Sequence, residues 1–201
     1  MSIYFVRHGE TDWNVAHRWQ GSADIPLNEN GIHQAMIARD KLANVRMDRI
    51  YCSPLQRAKK TAEIINENWK LPITVDERLA ERCFGVHEGV CDEHIDFQKI
   101  WSCSDEIIWE GSESANRFYR RVESFLDELI KLAEDQNILL VAHGGVSIPF
   151  YCHFHGYDFE DLHSVMIGNC EIRIAEHGEA KRCLLYTSFT YSICSYSFSS
   201  G

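Results

Sequence analysis

The chain has 201 residues, which suits one domain and is long enough to bury a substantial core. Hydrophobic residues make up 45% and charged residues 25% of the chain, a composition typical of a folded globular protein rather than a disordered one. Thirty acidic and 20 basic side chains give a formal net charge of −10, which argues against a general nucleic-acid or membrane-surface binder. An anionic ligand therefore needs a local cationic pocket.

The hydropathy pattern and the cysteines point to the cytoplasm. No apolar run approaches the roughly 18 residues of a transmembrane helix, and the first apolar run is too short for a signal peptide. The eight cysteines form no C-x-x-C pair, so we expect scattered, reduced thiols. We expect a cytoplasmic protein with no membrane or nucleic-acid partner. The sequence leaves open whether it forms a homo-oligomer.

Short apolar strands alternate with helical patterns along the chain. The predicted strands are 3–6, 48–52, 73–75, 138–142 and 170–175. The predicted helices are 32–42 after a cap at Asn28, 53–69 with Ser53 as cap and Pro54 in its first turn, 113–134, and one that begins near His143. This alternation predicts an α/β fold, a three-layer sandwich with a mostly parallel central sheet flanked by helices.

Two segments depart from this alternation. Residues 84–111 have poor periodicity, several glycines and acids, and two tryptophans, Trp101 and Trp109, which predicts a small capping insertion over a site. The last segment, 183–201, has no charged residue and no proline. Its first residues, CLLYTS, resemble the translation of a sequencing adaptor, so we expect a domain over 1–182 and a non-native or disordered tail after Arg182.

The residues suited to catalysis follow the predicted strands. Arg7-His8-Gly9 and His143-Gly144-Gly145 each follow a strand, Arg57 lies early in a helix, and Glu81 follows the third strand. Ligands bind at the carboxyl ends of such strands, so we expect these groups to converge. Arginines grip phosphoryl oxygens, neutral imidazole is a nucleophile, and a carboxylic acid protonates a leaving alkoxide. The set favours phosphoryl transfer to histidine and requires no metal or other cofactor.

These residues belong to a longer ordered pattern. It comprises RHGETDWN from Arg7, WQG from Trp19, DIPLN from Asp24, SPLQRA from Ser53, LAE from Leu79, FG from Phe84, EG from Glu88 and VAHGG from Val141. The pattern resembles the histidine phosphatase superfamily, in its phosphoglycerate mutase-like branch, over roughly residues 3–175.

The resemblance implies a phosphohistidine mechanism on a small phosphorylated metabolite. His8 would be the nucleophile and Glu81 the proton donor, with Glu88 as a rival for that role. The phosphate pocket would contain Arg7, Arg57 and His143. Substrate or phosphate contacts would come from Asn14, Gln20, Gly21 and the backbone of Gly144; the alternative for Asn14 is that it only caps a turn.

The alternative activity is a phosphoglycerate mutase. Mutases of this family have a lysine and an Arg-Arg pair in the insertion, which hold the second anionic group of the substrate. Here no lysine lies between Gly89 and Lys99, no Arg-Arg pair occurs between Glu88 and Gly111, and Phe84 replaces the usual tyrosine. The sequence therefore favours a phosphomonoesterase, and an inactive phosphate-binding protein ranks last because every predicted catalytic residue is present.

Two further groups of residues receive structural interpretations. The adjacent Arg120 and Arg121 are expected on the surface of the long helix 113–134. The histidines His153, His155 and His163 are spaced as helix or loop residues, so we predict no metal site there.

Overall fold

The computed structural model describes residues 2–91, 96–103, 108–132, 135–156 and 162–176. Its strands are β1 (Ser2–Arg7), β2 (Arg49–Cys52), β3 (Ile73–Val75), β4 (Asn137–Ala142) and β5 (Ile172–Glu176). They form a single sheet in the order β3-β2-β4-β1-β5, in which β1 to β4 run parallel and β5 is antiparallel to β1. The predicted mostly parallel sheet is confirmed, with strand ends within two residues of the expected ones.

Helices cover both faces of the sheet. They are α1 (Asp12–Val15), α2 (Glu29–Leu42), α3 (Gln56–Ile65), α4 (Phe97–Ile100), α5 (Ala115–Leu132), α6 (Ser147–His155) and α7 (Leu162–Val165). One buried cluster joins the sheet to α2 and α3, and the other joins it to α5 and α6. The three-layer α/β sandwich predicted from the sequence is therefore confirmed.

Side-chain alternation along the central strands explains the two cores. In β1, Ile3 and Phe5 enter the cluster on the α5 side, whereas Val6 enters the cluster on the α2 side. In β4, Leu140 and Leu139 divide in the same way. Successive strand residues point to opposite faces, so a strand buried on both faces must be apolar almost throughout. This is why β4 is the most apolar strand.

The start of α3 differs from the prediction. The helix begins at Gln56, three residues later than expected, and Ser53 is not its N-cap. The Ser53 hydroxyl instead accepts a hydrogen bond from the Leu55 amide (3.2 Å) and lies 2.6 Å from His143 Nε2. The helix start is capped from a distant loop, since the Asp24 carboxylate accepts from the Gln56 amide at 2.7 Å. Sequence alone gave no sign of this tertiary cap.

The cap of α2 follows the prediction, but one buried position does not. The Asn28 side chain accepts from the Gly31 amide at 2.8 Å, as expected of an N-cap. The apolar residues that recur in the predicted helix are Ala35, Met36, Ala38 and Leu42. Ala35, Ala38 and Leu42 are buried, whereas Met36 is 39% exposed.

Strand register brings the functional motifs together. Arg7 pairs with Ala142 across β1 and β4, so His8 and His143 emerge side by side at the carboxyl edge of the sheet. Cys52 pairs with Val141, which places Ser53 at the same edge. Because β1 and β4 are adjacent while their connections cover opposite faces, a crevice opens where they end.

The described helices include none that is long and apolar enough to cross a membrane. The predicted non-native tail, 183–201, lies outside the described residues, so that hypothesis and the domain end near 182 stay predictions.

Candidate active site

A cavity of about 160 Å³ opens at the carboxyl ends of β1 and β4. Eight predicted site residues line it, namely Arg7, His8, Asn14, Gln20, Gly21, Arg57, Glu81 and Gly144. His143 lies against the cavity floor, with its ring centroid 5.1 Å from that of His8. The structure thus brings the predicted groups together from two strand ends, a helix start and two loops.

His8 is held in a single orientation at the floor of the cavity. Its Nδ1 lies 2.7 Å from the Gly9 carbonyl oxygen, which can only accept, so Nδ1 carries the proton. The other nitrogen, Nε2, is then unprotonated, and its lone pair accepts a long hydrogen bond from Arg57 Nε at 3.3 Å. Burial, together with the charges of Arg57 and Arg7, lowers the pKa of His8 well below its ordinary value. His8 is therefore neutral and suited to nucleophilic attack near neutral pH.

Arg57 projects from the first turn of α3 and is fully buried. Its Nη1 donates to the Ala23 carbonyl (2.7 Å) and its Nη2 to the Gly21 carbonyl (2.8 Å). Burial lowers the pKa of Arg57 to about 10, which still leaves it charged at pH 7. The guanidinium therefore fixes the 21–23 loop and supplies a positive charge directly beside His8 Nε2.

Arg7 supplies the second cation. Its Nη1 donates to the Ile167 carbonyl at 2.8 Å, which holds the guanidinium against the cavity wall. Among the residues that the structure describes, its buried Nε has no hydrogen-bond partner. Buried donors are almost always paired, so a free one beside a cavity indicates a place for an acceptor such as a phosphoryl oxygen.

His143 also presents an unpaired donor. Ser53 Oγ accepts from the Leu55 amide and lies 2.6 Å from His143 Nε2, and we assign the Ser53 hydroxyl as the donor in this second contact. That arrangement puts the imidazole proton on Nδ1, which is buried and unpartnered within the described part of the chain. Burial, with Arg57 as the next cause, lowers the pKa of His143 well below its usual value. His143 is thus a neutral donor next to His8.

Glu81 is the carboxylate that lines the cavity. Its Oε1 accepts from the Arg82 amide and its Oε2 from the Gly145 amide, both at 2.9 Å. The rival Glu88 lies outside the cavity lining. Its Oε1 accepts from the Ser22 amide, the Ser22 hydroxyl and the Phe84 amide at 2.7, 2.9 and 3.1 Å. Glu88 therefore ties the 20–22 loop to the insertion, and the geometry favours Glu81 as proton donor.

Asn14 and Gln20 line the cavity in different ways. Asn14 forms a capping box with Thr11 at the start of α1, in which Asn14 Oδ1 accepts from the Thr11 amide at 3.1 Å. The turn-capping interpretation of Asn14 is thus confirmed, while its ligand role stays a prediction. Gln20 is 9% exposed, and its Oε1 is buried without a partner among the described residues. Gln20 therefore offers the cavity an unused polar group.

The insertion contributes two aromatic walls. Phe84 and Trp101 line the cavity and stack edge to face at 5.9 Å. Arg82 lies over both rings, at 5.7 and 5.5 Å, and donates to the Glu113 carbonyl at 2.8 Å and to the Ile100 carbonyl. Trp109 packs on Phe84 and on His87 instead of facing the cavity.

Sequence reasoning missed several lining residues. His17, Arg18, Trp19 and Met166 also border the cavity, of which Arg18 is an exposed cation at the rim. His17 has a positive φ of 51°, which no local turn signal in the sequence predicts. The expectation of a surface position holds for Arg120 but is wrong for Arg121, which packs beneath the Glu81 segment.

No group of three or more His, Cys, Asp or Glu side chains within the described ranges is arranged to hold a metal ion. The side chain of His163 lies outside what is described.

Comparison with known proteins gives consistent matches. The phosphoserine phosphatase 1 of Hydrogenobacter thermophilus is 29% identical over 94% of this chain and 93% of its own length. The adenosylcobalamin/alpha-ribazole phosphatase of Salmonella typhimurium is 36% identical over 73% of this chain and 75% of its own length. The solved structure of a mycobacterial glucosyl-3-phosphoglycerate phosphatase with VO3 superposes with a TM-score of 0.75 and 28% identity, covering 86% of this chain and 90% of that one.

Relatives named as mutases are also present. A probable phosphoglycerate mutase of Serratia proteamaculans is 34% identical over 72% of this chain and 70% of its own length. The model of the histidine phosphatase superfamily, branch 1, matches residues 3–188. The order of the motifs, the sheet topology and this match together show that the chain belongs to the histidine phosphatase superfamily.

Proposed function

We propose that the chain is a phosphoric monoester hydrolase that acts through a phosphohistidine at His8. The observation that carries this proposal is the floor of the cavity. There, neutral His8 presents its Nε2 lone pair beside Arg57, and two buried donors, Arg7 Nε and His143 Nδ1, lack partners within the described residues. A phosphoryl group accepts hydrogen bonds on three oxygens and carries negative charge, which matches this set of donors.

In the first step, His8 Nε2 attacks phosphorus in line with the leaving oxygen. The N–P bond forms as the bond from phosphorus to the leaving oxygen breaks, and protonated Glu81 gives its proton to that oxygen, so that an alcohol departs. Arg7, Arg57 and His143 stabilise the charge on the three equatorial oxygens. The Gly9 carbonyl accepts from His8 Nδ1 and stabilises the positive charge that develops on the ring.

In the second step, Glu81 acts as a base. Its carboxylate takes a proton from a water molecule, the water oxygen attacks phosphorus, and the N–P bond breaks to release inorganic phosphate. Glu81 is then protonated again and His8 neutral again, so the cycle closes without a metal or another cofactor.

The substrate we propose is a small phosphorylated metabolite. The cavity volume of about 160 Å³ suits a phosphoryl group with a short leaving group, and aromatic walls border one side. The names of the relatives cite phosphoserine, alpha-ribazole phosphate and glucosyl-3-phosphoglycerate as substrates of those proteins. The exposed Arg18 at the rim favours a substrate whose leaving group carries an anionic group in addition to the phosphoryl group.

A phosphoglycerate mutase is the second candidate, because Arg18 also suits the second anionic group of a bisphosphorylated intermediate. The insertion, however, has no Arg-Arg pair and is rich in acids. Incubation with 3-phosphoglycerate and a bisphosphoglycerate primer separates the two activities. Free phosphate supports the hydrolase, and 2-phosphoglycerate supports the mutase.

Two finer assignments accompany this function. The lowered pKa values of His8 and His143 support activity that persists at acidic pH, as in an acid phosphatase. The cysteines within the described ranges are all free thiols, which supports a reducing, cytoplasmic location.

The central experiment is alkaline-quench trapping of the intermediate, because phosphohistidine survives in base. The full chain, assayed with p-nitrophenyl phosphate in excess EDTA, is expected to turn over and to carry a labelled phosphoryl group. His8→Ala should lose both, with turnover reduced by about 10⁴-fold or more. Turnover by His8→Ala would refute the mechanism, and activity that is lost to EDTA and restored by a metal ion would refute its independence of metals.

A further inference from the structure

Arg121 lies in the middle of α5 and reaches the segment that carries Glu81. Its Nη1 donates to the carbonyls of Arg78 (2.8 Å) and Ala80 (2.7 Å), and its Nη2 donates to the carbonyl of Glu81 (3.1 Å). One guanidinium thus pairs with three backbone carbonyls within four consecutive residues. Only 20% of its side chain is exposed, so these bonds are sheltered from water.

The guanidinium is itself fixed by Glu113. Arg121 Nε donates to Glu113 Oε1 and Nη2 donates to Glu113 Oε2, both at 2.8 Å. The Glu113 side chain is 11% exposed, and the Phe118 ring lies 4.7 Å below the guanidinium carbon. A two-pronged ion pair of this kind constrains the plane of the guanidinium as well as its position. Arg121 therefore connects α5 to the Glu81 segment through a side chain whose orientation is fixed.

No ladder of a sheet or helix supports the Glu81 segment, so side chains hold it: Arg121 from α5, and Arg82 through the carbonyls of Glu113 and Ile100. Residues 81–83 have no regular secondary structure between the 3₁₀ turn Glu77–Leu79 and Phe84. The Glu81 carboxylate bonds to two amides, those of Arg82 and Gly145. The first amide moves with the segment itself, so the position of the backbone decides where the carboxylate meets the leaving oxygen.

We propose that Arg121, fixed by Glu113, is a positioning residue for the proton donor Glu81. This inference rests on the proposed phosphohistidine mechanism and adds to it a residue that does not line the cavity. A displaced Glu81 protonates the leaving oxygen poorly, whereas phosphate binding by Arg7, Arg57 and His143 is unaffected. The defect should therefore grow as the leaving group becomes more basic.

The test compares p-nitrophenyl phosphate with phenyl phosphate, since both present the same ring but phenolate is the more basic leaving group. The parameter kcat/KM reports the steps up to phosphoryl transfer to His8, so the later hydrolysis does not contribute. Arg121→Lys keeps the charge but loses the fork of donors. We expect Arg121→Lys to lower kcat/KM on phenyl phosphate by about 100-fold, the cost of a misplacement of about 1 Å. On p-nitrophenyl phosphate we expect kcat/KM to fall by only about tenfold.

Arg78→Lys is the matched control. Arg78 lies in the same part of the chain and also joins it to α5, through Glu128 at 2.8 Å, while it pairs with Asp76 at 2.7 Å. Its side chain makes no bond to Glu81 among the described residues, so its loss should not change the ratio of the two kcat/KM values. Glu113→Gln, which keeps one acceptor, should shift the ratio in the direction of Arg121→Lys, but less.

An equal loss on both substrates would overturn the proposal, because it would show a general structural defect. Retention of wild-type values for both substrates would overturn it as well. If Arg121→Lys lowers the Tm below the assay temperature, Glu113→Gln provides the same comparison in a folded protein. In that case an unchanged ratio in Glu113→Gln overturns the proposal.

A double-mutant cycle separates this inference from the proposed function. The ratio compared is kcat/KM on p-nitrophenyl phosphate divided by kcat/KM on phenyl phosphate. Glu81→Gln alone should raise this ratio, and adding Arg121→Lys should change it no further because the donor is already absent. If Glu81→Gln leaves the ratio unchanged, the assignment of Glu81 as proton donor fails. If Glu81→Gln raises the ratio and Arg121→Lys does not, only the positioning role fails.

Discussion

The floor of the cavity and the side that carries Glu81, here called the acidic side, are built in different ways. At the floor, Arg7, His8 and His143 lie at or directly after the ends of two paired strands, and Arg57 lies in the first turn of a helix. The sheet register places Arg7, His8 and His143, and the first turn of α3 places Arg57 beside them. Glu81, in contrast, lies in an irregular segment held from α5 by Arg121 and from the start of the 144–146 turn by the Gly145 amide.

This contrast separates binding from proton transfer. Phosphate binding depends on groups at the ends of two central strands and in the first turn of α3. Proton transfer depends on an irregular segment that side chains hold in place, since Arg121 on α5 donates to the Glu81 carbonyl. Substitutions at the floor should therefore affect all substrates alike, whereas substitutions around Glu81 should depend on the leaving group.

The largest effect is expected at Arg57. Arg57→Ala removes a cation beside His8 and takes away the guanidinium donors of the Gly21 and Ala23 carbonyls. We expect kcat/KM to fall by about 10³-fold for every phosphomonoester, the upper end of the loss for one donor that stabilises a transition state. Arg57→Lys should recover only a small part, because a single ammonium cannot replace the fork.

Arg39→Ala is the control for net charge. Arg39 lies on α2, where it pairs with Glu67 at 2.6 Å, and it does not line the cavity. This variant should keep wild-type kcat/KM. A loss in Arg57→Ala that varied strongly with leaving group would contradict the separation of the two regions.

Two adjacent glycines allow a sharper comparison, because Gly145 lies against Glu81 whereas Gly144 lies against Met166 and Arg7. A Cβ on Gly145 would lie 2.3 Å from Glu81 Oε1 and 2.4 Å from the Trp101 ring, too close for either group to stay in place. A Cβ on Gly144 would lie 3.1 Å from the flexible end of Met166 and 3.4 Å from Arg7. Gly145→Ala should therefore lower kcat/KM by about 10²-fold through displaced Glu81, with a greater loss for basic leaving groups.

Gly144→Ala serves as the matched variant, with the same added methyl group one residue earlier. Met166 can shift by a few tenths of an ångström, so we expect less than a tenfold loss that is equal for p-nitrophenyl and phenyl phosphate. Equal behaviour of the two alanine variants, measured as kcat/KM on both substrates, would show that the two regions are not distinct.

The sequence predicted the floor better than the acidic side for the same reason. A strand followed by Arg-His-Gly specifies its own geometry, so the convergence of Arg7, His8 and His143 follows from parallel pairing alone. The surface position predicted for Arg121 is wrong because an arginine on a helix is indistinguishable from a solvated residue until its packed neighbour is known. The cap of α3 by Asp24 was missed for that reason too, since the two residues lie 32 positions apart.

The pH dependence tests whether the floor keeps its histidines neutral. Burial and neighbouring arginines lower the pKa of His8 and of His143, so both stay unprotonated as pH falls through about 6.5, where an ordinary histidine gains a proton. Nuclear magnetic resonance of labelled imidazoles, assigned through His8→Asn and His143→Asn, should show neutral shifts for both rings below that pH. Protonation of either ring near pH 6.5 in the free protein would contradict the prediction.

The same groups set the sign of the stability change. Below about pH 6.5 the unfolded chain binds protons at these two histidines while the folded chain does not. Protonation then favours unfolding, so their contribution makes the free energy of unfolding fall as pH decreases through this window. Urea titrations should show a weaker dependence on pH in His143→Asn than in the wild type.

The smallest effect is expected at the rim. Arg18 is exposed, so water and salt screen its attraction for a second anionic group, and an exposed charge pair contributes about 0.2–1 kcal/mol. Arg18→Ala should therefore raise KM by no more than about fivefold for a carboxylated phosphomonoester such as 3-phosphoglycerate, and not for phenyl phosphate. The difference should shrink as salt increases. Arg49→Ala, which removes an exposed charge at the end of β2 remote from the cavity, should alter the KM of neither substrate.

Because Arg18 touches neither the floor nor Glu81 by any described hydrogen bond, its effect should add to that of Gly145→Ala in free energy. A large change in kcat in Arg18→Ala would instead show that Arg18 takes part in the chemical step, and Arg18 would then belong with Glu81 to the acidic side of the cavity.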